Sequence, residues 1–180
     1  MSEEAQQALQ RLIVDVPDFP EPGVVFKDIT PLLADAGGLR LVTEALADAG
    51  RTADGATGVD KVVGIEARGF ILAAPVALSL GVGMVPVRKA GKLPRPTHAV
   101  SYDLEYGQAT VEIHQDAIAA GDRVLVVDDV LATGGTVAAT RQLIEQCGGE
   151  VVGAAMVMEL SFLPGRQVIG DLPLTSLMTV

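Results

Sequence analysis

Two adjacent carboxylates precede a glycine- and threonine-rich turn, and this arrangement could hold a phosphorylated sugar. Residues 124–127 are apolar, Asp128 and Asp129 follow them, and residues 132–136 read Ala-Thr-Gly-Gly-Thr. Glycines let the backbone approach an anion closely, the first amides of the following helix donate to phosphate oxygens, and the two threonine hydroxyls add donors. The carboxylates can accept hydrogen bonds from the adjacent 2- and 3-hydroxyls of a ribose. The predicted ribose 5-phosphate site consists of Asp128, Asp129, Ala132, Thr133, Gly134, Gly135 and Thr136.

A second polar turn follows another apolar segment. Residues 61–65 predict a strand, and the sequence Glu66-Ala67-Arg68-Gly69 comes directly after it. Ligands of open α/β sheets bind beyond the carboxyl ends of the strands, so this turn should lie at the same sheet edge as the carboxylate pair. From the residues alone, Arg68 could equally be a solvated arginine at the start of a helix.

A cluster of basic residues stands out in an otherwise acidic chain. Arg88, Lys89, Lys92 and Arg95 fall within eight positions, whereas the net charge of the chain is −10. Such a cluster captures a small anion locally. A closing loop that carries these cations could neutralise a departing anion and exclude water, although a solvated basic loop has the same composition.

Short β-branched segments alternate with amphipathic segments and predict an α/β fold with an open, mainly parallel sheet flanked by helices. Prolines at positions 17, 20 and 22 predict an extended N-terminal segment, and residues 88–108 contain Gly91, Pro94 and Pro96 with little periodicity. A segment of this length without regular structure is typical of a mobile functional loop. The predicted strands are 61–65, 84–87, 110–113, 123–127 and 151–158, and the predicted helices are 39–49, 70–80 and 136–147.

Length, charge and composition exclude several classes of protein. The 180 residues fit a single domain, 1–180, without a shift in composition. The acidic balance and the absence of a long basic run argue against nucleic acid as a partner. No segment approaches the ~20 apolar residues of a membrane span, and residues 1–10 do not read as a secretory signal. With Cys147 as the single cysteine, we expect a cytoplasmic protein.

Taken together, the motifs resemble those of the type I phosphoribosyltransferase family, and the resemblance covers most of residues 17–160. Its fold implies one domain with a small N-terminal hood at residues 1–35, which binds the base, and a flexible catalytic loop at residues 88–108. Its activity implies transfer of ribose 5-phosphate from phosphoribosyl pyrophosphate to a purine, with adenine as the expected base and AMP and pyrophosphate as products. The resemblance also implies a Mg²⁺ ion that is held mainly by the substrate. It further implies a homodimer. The segments that carry the resemblance are 17–20, 28–31, 66–70, 88–94, 102–107 and 128–136.

The resemblance also implies roles for individual residues. The pyrophosphate would be held by Glu66, Ala67, Arg68, Arg88, Lys89 and Lys92, with a non-proline cis peptide in the turn at residues 66–69. Glu105 would handle a proton at the purine ring. The main chain around Val25, Phe26 and Lys27 would read the adenine edge, with the Phe26 ring and Leu160 on opposite faces of the base. The expected catalytic residues are Glu105, Asp128, Asp129 and Arg68.

The sequence leaves one other function open and argues against two more. A member of the same family could act on a 6-oxo purine (xanthine, hypoxanthine or guanine). A purine-responsive regulator could use the same fold, but the sequence shows neither a helix-turn-helix before residue 60 nor a basic face. A dinucleotide-binding domain lacks support, because no Gly-x-Gly-x-x-Gly follows the first strand. His98 and His114 fall in no motif and are expected to be structural or exposed.

Overall fold

A seven-stranded sheet with helices on both faces forms the body of the chain in the computed structural model, which describes residues 2–103 and 107–180. The sheet strands are β3 (Lys61–Ile65), β4 (Gly83–Lys89), β5 (Thr97–Asp103), β6 (Gln108–His114), β7 (Arg123–Leu131), β8 (Glu150–Glu159) and β9 (Leu174–Thr179). Their order in the sheet is β5-β6-β4-β3-β7-β8-β9. The run β4-β3-β7-β8-β9 is parallel, whereas β6 pairs antiparallel with both β4 and β5.

The helices cover the two faces of the sheet unequally. The N-terminal part contributes α1 (Glu3–Leu12), a hairpin of β1 (Val14–Pro17) and β2 (Val25–Asp28), α2 (Thr30–Ala34), α3 (Ala36–Ala47) and a 3₁₀ turn (Asp48–Gly50). Helix α4 (Arg68–Leu80) packs with α3 and contributes to the same core. Helices α5 (Gly135–Gln146) and α6 (Gly165–Ile169) contribute to the other core. None of the helices in the described ranges has the length and apolarity that crossing a bilayer requires.

Strand β7 lies between β3 and β8 and is buried on both faces. Leu125 and Val127 belong to the core on the α3–α4 face, whereas Val124 and Val126 belong to the core on the α5 face. Because successive side chains of a strand point to opposite faces, a strand between two helical layers must be apolar at every position. The continuous apolar run that precedes Asp128 therefore has a structural cause, and it fixes the place where the carboxylates emerge.

Several predicted boundaries were wrong because long-range pairing extends the strands. Strand β4 continues through Arg88 and Lys89, which pair with Glu112 and Val111 of β6. Strand β7 continues past Val127 to Leu131, because β8 is long enough to pair with it there. The interpretation of 88–108 as a segment without regular structure was wrong for residues 97–103, which form β5 and pair with β6 along their whole length. Strand β9 and the short helix α6 were not predicted.

Candidate active site

A cavity of about 350 Å³ opens beyond the carboxyl ends of β3 and β7. Both predicted turns contribute to its wall, and β4 contributes Lys89. The structure therefore brings together residues that lie far apart in the sequence. Those predicted site residues that line this cavity are Glu66, Ala67, Arg68, Lys89, Asp128, Asp129, Ala132, Thr133, Gly134 and Thr136.

The turn between β7 and α5 has the geometry of an anion site. Gly134 immediately precedes α5 and has φ +84°, a conformation that favours glycine. A Cβ at this position would also lie 2.7 Å from the carbonyl oxygen of Gly165. Within the described part of the chain, no side chain caps the N-terminus of α5. Its first backbone amides are therefore free to donate to an anion.

The two carboxylates of the site differ in their partners. Asp129 is buried, and its Oδ2 accepts a hydrogen bond from Arg68 Nε. Asp128 keeps some exposed surface inside the cavity, but protein atoms surround its carboxyl group, and its Oδ1 accepts from the Asp129 amide at 2.9 Å. Burial and the adjacent charge of Asp129 raise the pKa of Asp128 well above its ordinary value of 3.8. One carboxylate of the pair is thus neutralised by an arginine, and the other resists ionisation.

Gly69 allows the second turn to lie directly against the carboxylate pair. A Cβ at Gly69 would come within 2.9 Å of both Asp128 Oδ1 and the Val127 carbonyl oxygen. Any larger side chain would push α4 away from β7. The glycine after Arg68 therefore has a packing reason, and it places the arginine beside the acidic pair.

Glu66 is the centre of a basic cluster. Its carboxylate accepts from Lys92 Nζ at 2.6 Å, from the Lys89 amide at 3.0 Å and from Arg88 Nε at 3.3 Å. The hydrogen bond from Lys92, together with those from Lys89 and Arg88, outweighs the effect of burial and lowers the pKa of Glu66 from 4.5 to about 2. Arg88 also lies over the Phe70 ring, with 5.9 Å from Cζ to the ring centroid. The carboxylate therefore stays charged and holds two of the predicted pyrophosphate-binding cations in place.

The peptide bond between Glu66 and Ala67 is cis, as the family resemblance implied. This bond lies in the turn between β3 and α4, next to Arg68. The roles of Glu66, Ala67 and Arg68 toward pyrophosphate remain predictions.

The predicted base-binding residues lie around the cavity, not within it. Phe26 of β2 lies under Arg68, with 5.8 Å from the arginine Cζ to the ring centroid, and Phe19 packs edge-on against the same ring at 5.3 Å. Lys27 pairs with Asp15 on the neighbouring strand at 2.7 Å, and Val25 is 53% exposed. The predicted hood thus contacts the predicted pyrophosphate-binding turn through the stacking of Phe26 on Arg68.

Leu160 follows β8 and lies at a separate, smaller cavity of about 150 Å³. Its amide donates to the Leu131 carbonyl at 3.0 Å, which ties it to the end of β7. Glu105, the predicted proton-handling residue, lies outside the described residues. Its assignment stays a prediction.

Two features of the site were missed by reasoning from the sequence. Tyr102 of β5 lines the cavity, and its hydroxyl accepts from Thr136 Oγ1 at 2.9 Å. Glu159 is buried at the end of β8, 2.7 Å from Arg166 Nη2. Tyr102 stands in one of the segments that carried the family resemblance, but neither residue has a local spacing that reveals its partner.

Comparison with known proteins agrees with this geometry. A family model described as "Phosphoribosyl transferase domain" matches residues 30–162. The adenine phosphoribosyltransferase of a Nocardioides species is 67% identical over 94% of this chain and 91% of its own length. That of Frankia casuarinae is 61% identical over 97% of this chain and 90% of its own length. The chain belongs to the adenine phosphoribosyltransferase family.

Solved structures of the adenine phosphoribosyltransferase family have the same fold. The enzyme of Rhodothermus marinus superimposes with a TM-score of 0.91 at 50% identity and covers 99% of this chain and 100% of its own. The Saccharomyces cerevisiae enzyme, solved with adenine and an imino-altritol bisphosphate, gives a TM-score of 0.92 at 39% identity, with coverages of 98% and 99%. The predicted fold class, an α/β type I phosphoribosyltransferase fold, is therefore confirmed.

Proposed function

We propose that the chain transfers the 5-phosphoribosyl group of phosphoribosyl pyrophosphate to N9 of adenine, which yields AMP and pyrophosphate. One observation carries the proposal. A single cavity combines an acidic pair, a glycine turn at a helix N-terminus and a cationic turn, and these are complementary to sugar hydroxyls, a 5-phosphate and a pyrophosphate, respectively. The choice of adenine as the base rests on the family to which the chain belongs.

The reaction in this cavity is a displacement at ribose C1. The bond from C1 to the pyrophosphate oxygen breaks, the bond from C1 to adenine N9 forms, and the N9 proton leaves. Positive charge develops on the sugar ring, next to the carboxyl groups of Asp128 and Asp129, and this charge favours the ionised form of Asp128. Catalysis then comes from positioning and from charge stabilisation, without a covalent intermediate on the protein.

Arg68 has two possible partners during this reaction. It bonds Asp129 here, yet 43% of its side chain is exposed. A bound ribose can donate its hydroxyls to Asp129, and a pyrophosphate can accept from the guanidinium. Substrate binding would therefore replace one buried ion pair by two charge-assisted contacts to the ligand.

Glu66 would act on pyrophosphate through the cations that it holds. Its carboxylate is occupied by Lys92 and Arg88, so a direct contact with an anion would be repulsive. Its amide already donates to the Val87 carbonyl at 3.0 Å, so the pyrophosphate contact predicted for Glu66 would be indirect, through Lys92 and Arg88. Ala67 and Lys89 complete this side of the cavity.

Mg²⁺ fits this site as a companion of the substrate. In the described ranges, no group of three or more His, Cys, Asp or Glu side chains could form a metal cage. Mg²⁺ prefers phosphate oxygens and water and binds through one or two protein carboxylates at most. Asp128 and Asp129 are the carboxylates of the cavity wall that could contribute. When bound, the ion would neutralise charge on the pyrophosphate.

Adenine would bind at the hood, with Phe26 on one face and Leu160 on the other. Main-chain groups of Val25 and Lys27 would read the purine edge, so the specificity would not depend on the Lys27 side chain, which pairs with Asp15. Glu105 would manage the proton at the purine ring. Glu105→Ala should then lower kcat more than it raises KM for adenine, and the reverse pattern would assign Glu105 to docking.

We also propose a homodimer, as is usual for type I phosphoribosyltransferases. Helix α4 carries exposed apolar side chains at positions 71 and 78, which lie on the same helical face about two turns apart, with Ile71 49% and Leu78 81% exposed. Sedimentation velocity should show a dimer. Leu78→Asp should shift it toward the monomer if this face is the interface.

The base-specificity assay tests the function directly. The protein is incubated with Mg²⁺, phosphoribosyl pyrophosphate and one of adenine, hypoxanthine, guanine or xanthine. We expect AMP from adenine and little nucleotide from the others. Nucleotide from a 6-oxo purine but none from adenine would refute the assignment of the base, and no nucleotide from any base would refute the proposed reaction.

A further inference from the structure

Tyr102 reaches from strand β5 to the turn that precedes α5. Its hydroxyl accepts a hydrogen bond from Thr136 Oγ1 at 2.9 Å, and the two residues are 34 positions apart in the sequence. The tyrosine ring lies over Gly135, where an added Cβ would be 2.9 Å from the ring atom Cδ2. The ring is partly buried against the core of the α5 face. Packing and a hydrogen bond therefore hold Tyr102 in one place.

The direction of this hydrogen bond decides which of the two hydroxyls can still donate its proton to an anion. A threonine hydroxyl has a single proton, and Thr136 donates it to Tyr102. The tyrosine hydroxyl accepts this bond and keeps its own proton. Tyr102 lines the same cavity as Thr133, Gly134 and Thr136, so that proton is available on the side where the phosphate is expected.

We propose that Tyr102 is a further 5-phosphate-binding residue, which donates its hydroxyl proton to the phosphate while Thr136 orients it from behind. The inference rests on the proposed function, because it assumes a phosphorylated ribose in the cavity. It also gives Thr136 a different role from the one expected. The Thr136 hydroxyl orients the Tyr102 hydroxyl instead of acting on the phosphate by itself. An acidic chain with few cations near the turn gains from one more neutral donor at this place.

Tyr102 also lines a second cavity. This second cavity has a volume of about 480 Å³, and Tyr102 and Thr133 line both cavities. The tyrosine ring thus forms part of the wall between the turn at residues 132–136 and the second cavity. Removal of the ring would join the cavities, whereas removal of the hydroxyl alone would leave the wall intact.

The central test is Tyr102→Phe, which keeps the ring over Gly135 and removes only the hydroxyl. Isothermal titration with ribose 5-phosphate should show a Kd raised roughly tenfold, the value of one hydrogen bond to a charged group. The Kd for pyrophosphate and the KM for adenine should stay within about twofold. Ser101→Ala is the matched control, since it removes a neighbouring hydroxyl that bonds Thr110 at 2.8 Å instead.

Three results would overturn the inference in distinguishable ways. An unchanged Kd for ribose 5-phosphate would show that the hydroxyl does not contact the phosphate. Equal weakening of ribose 5-phosphate, pyrophosphate and adenine would show that the residue acts through packing alone. If the unmodified protein bound no ribose 5-phosphate and made no AMP, the proposed function itself would fail, and this inference with it.

A double-mutant cycle distinguishes a Tyr102 hydroxyl that is oriented by Thr136 from two side chains that contact the phosphate independently. Thr136→Val should weaken ribose 5-phosphate binding, and adding Tyr102→Phe should weaken it by less than the product of the single effects. If the two substitutions raised the Kd for ribose 5-phosphate by the product of their single effects, Thr136 would not act through Tyr102.

Should Tyr102→Phe fail to fold, the native chain provides an independent measurement. It contains two tyrosines, Tyr102 and Tyr106, so ¹³Cζ-labelled tyrosine gives two signals, which Tyr106→Phe assigns. The Tyr102 signal should shift on addition of ribose 5-phosphate and not of pyrophosphate. A signal that responds to neither ligand would refute the contact.

Discussion

Arg68 and Asp129 form an ion pair across the cavity, between the start of α4 and the end of β7. The residues are 61 positions apart, and the Asp129 side chain is only 8% exposed. The same arginine stacks on Phe26 of the hood. One guanidinium therefore connects the three parts of the molecule that are expected to bind ribose, pyrophosphate and base.

Substitution of the two carboxylates should have opposite effects on stability and the same effect on activity. Asp129→Asn leaves Arg68 without its buried partner and should lower the free energy of unfolding by about 1–3 kcal/mol. Asp128→Asn should raise it at neutral pH, because it removes a carboxylate whose ionisation is disfavoured in the folded state. Each single variant should lose most turnover, and the double variant nearly all of it.

The pH dependence distinguishes this explanation from a general effect of amide substitution. The pKa of Asp128 is raised in the folded protein, so the folded state binds the proton more tightly than the unfolded state does. Its stabilising contribution is complete below pH 3.8 and is lost as the pH rises toward the folded pKa. The gain in Tm of Asp128→Asn over the native protein should thus grow with pH above about 4. A gain that is constant with pH would contradict the assignment.

The Glu66 cluster should behave in the opposite way. Because the pKa of Glu66 is lowered from 4.5 to about 2, its stabilising contribution is present above pH 4.5 and is lost as the pH falls toward 2. Glu66→Gln should reduce Tm at pH 7 and raise KM for phosphoribosyl pyrophosphate several-fold, since Arg88 and Lys92 lose their anchor. The Tm difference should shrink in acid.

Glu145→Gln is the matched control for this cluster. Glu145 pairs with Arg141 on an exposed face of α5, with 51% of its side chain accessible. Surface pairs of this kind contribute about 0.3–0.5 kcal/mol, so the variant should leave activity unchanged and Tm nearly so. Equal effects of the two glutamine variants would show that the Glu66 cluster has no special role.

The turn at residues 132–136, which is expected to bind the 5-phosphate, should tolerate no side chain at Gly134. Gly134→Ala places a Cβ at positive φ and 2.7 Å from the Gly165 carbonyl. Gly81→Ala has the same conformational cost, with φ +71°, but meets no atom within 4 Å. The control should lose about 1–2 kcal/mol of stability and keep its affinity for ribose 5-phosphate. Gly134→Ala should lose more stability and bind the ligand at least tenfold more weakly. Equal ligand affinity in the two variants would refute the role of the turn.

The contrast between Gly134 and Tyr102 shows how much of the site could be predicted from the sequence. The apolar run, the acidic pair and the glycine turn are contiguous, so local chemistry and the rules of parallel sheets predicted their position. Tyr102 contacts Thr136 across 34 positions, and Glu66 contacts Lys92 across 26. The Glu66 contact depends on the pairing of β3 with β4, and the Tyr102 contact depends on the pairing of β5 with β6 and of β6 with β4, which no local pattern specifies. The same pairing explains why residues 97–103 form a strand.

Glu159 and Arg166 provide the last prediction, because their ion pair ties α6 to the end of β8. Glu159 is 7% exposed, and its Oε2 lies 2.7 Å from Arg166 Nη2 without a well-directed hydrogen bond in the described residues. The neighbouring Gly165 leaves no room for a Cβ beside the Ala132 carbonyl, so a shift of this segment would move the phosphate turn.

Removal of the arginine should therefore cost more stability than neutralisation of the glutamate. Arg166→Ala leaves a buried carboxylate without its partner and should lower the free energy of unfolding by about 2–3 kcal/mol, whereas Glu159→Gln keeps the shape of the side chain and should cost about 1 kcal/mol. The combined variant should be more stable than Arg166→Ala alone, because no uncompensated charge remains. Urea unfolding of the three variants measures these differences. If the combined variant were less stable than Arg166→Ala by the full cost of Glu159→Gln, the two residues would act independently, and the pair would not anchor the segment that carries Leu160.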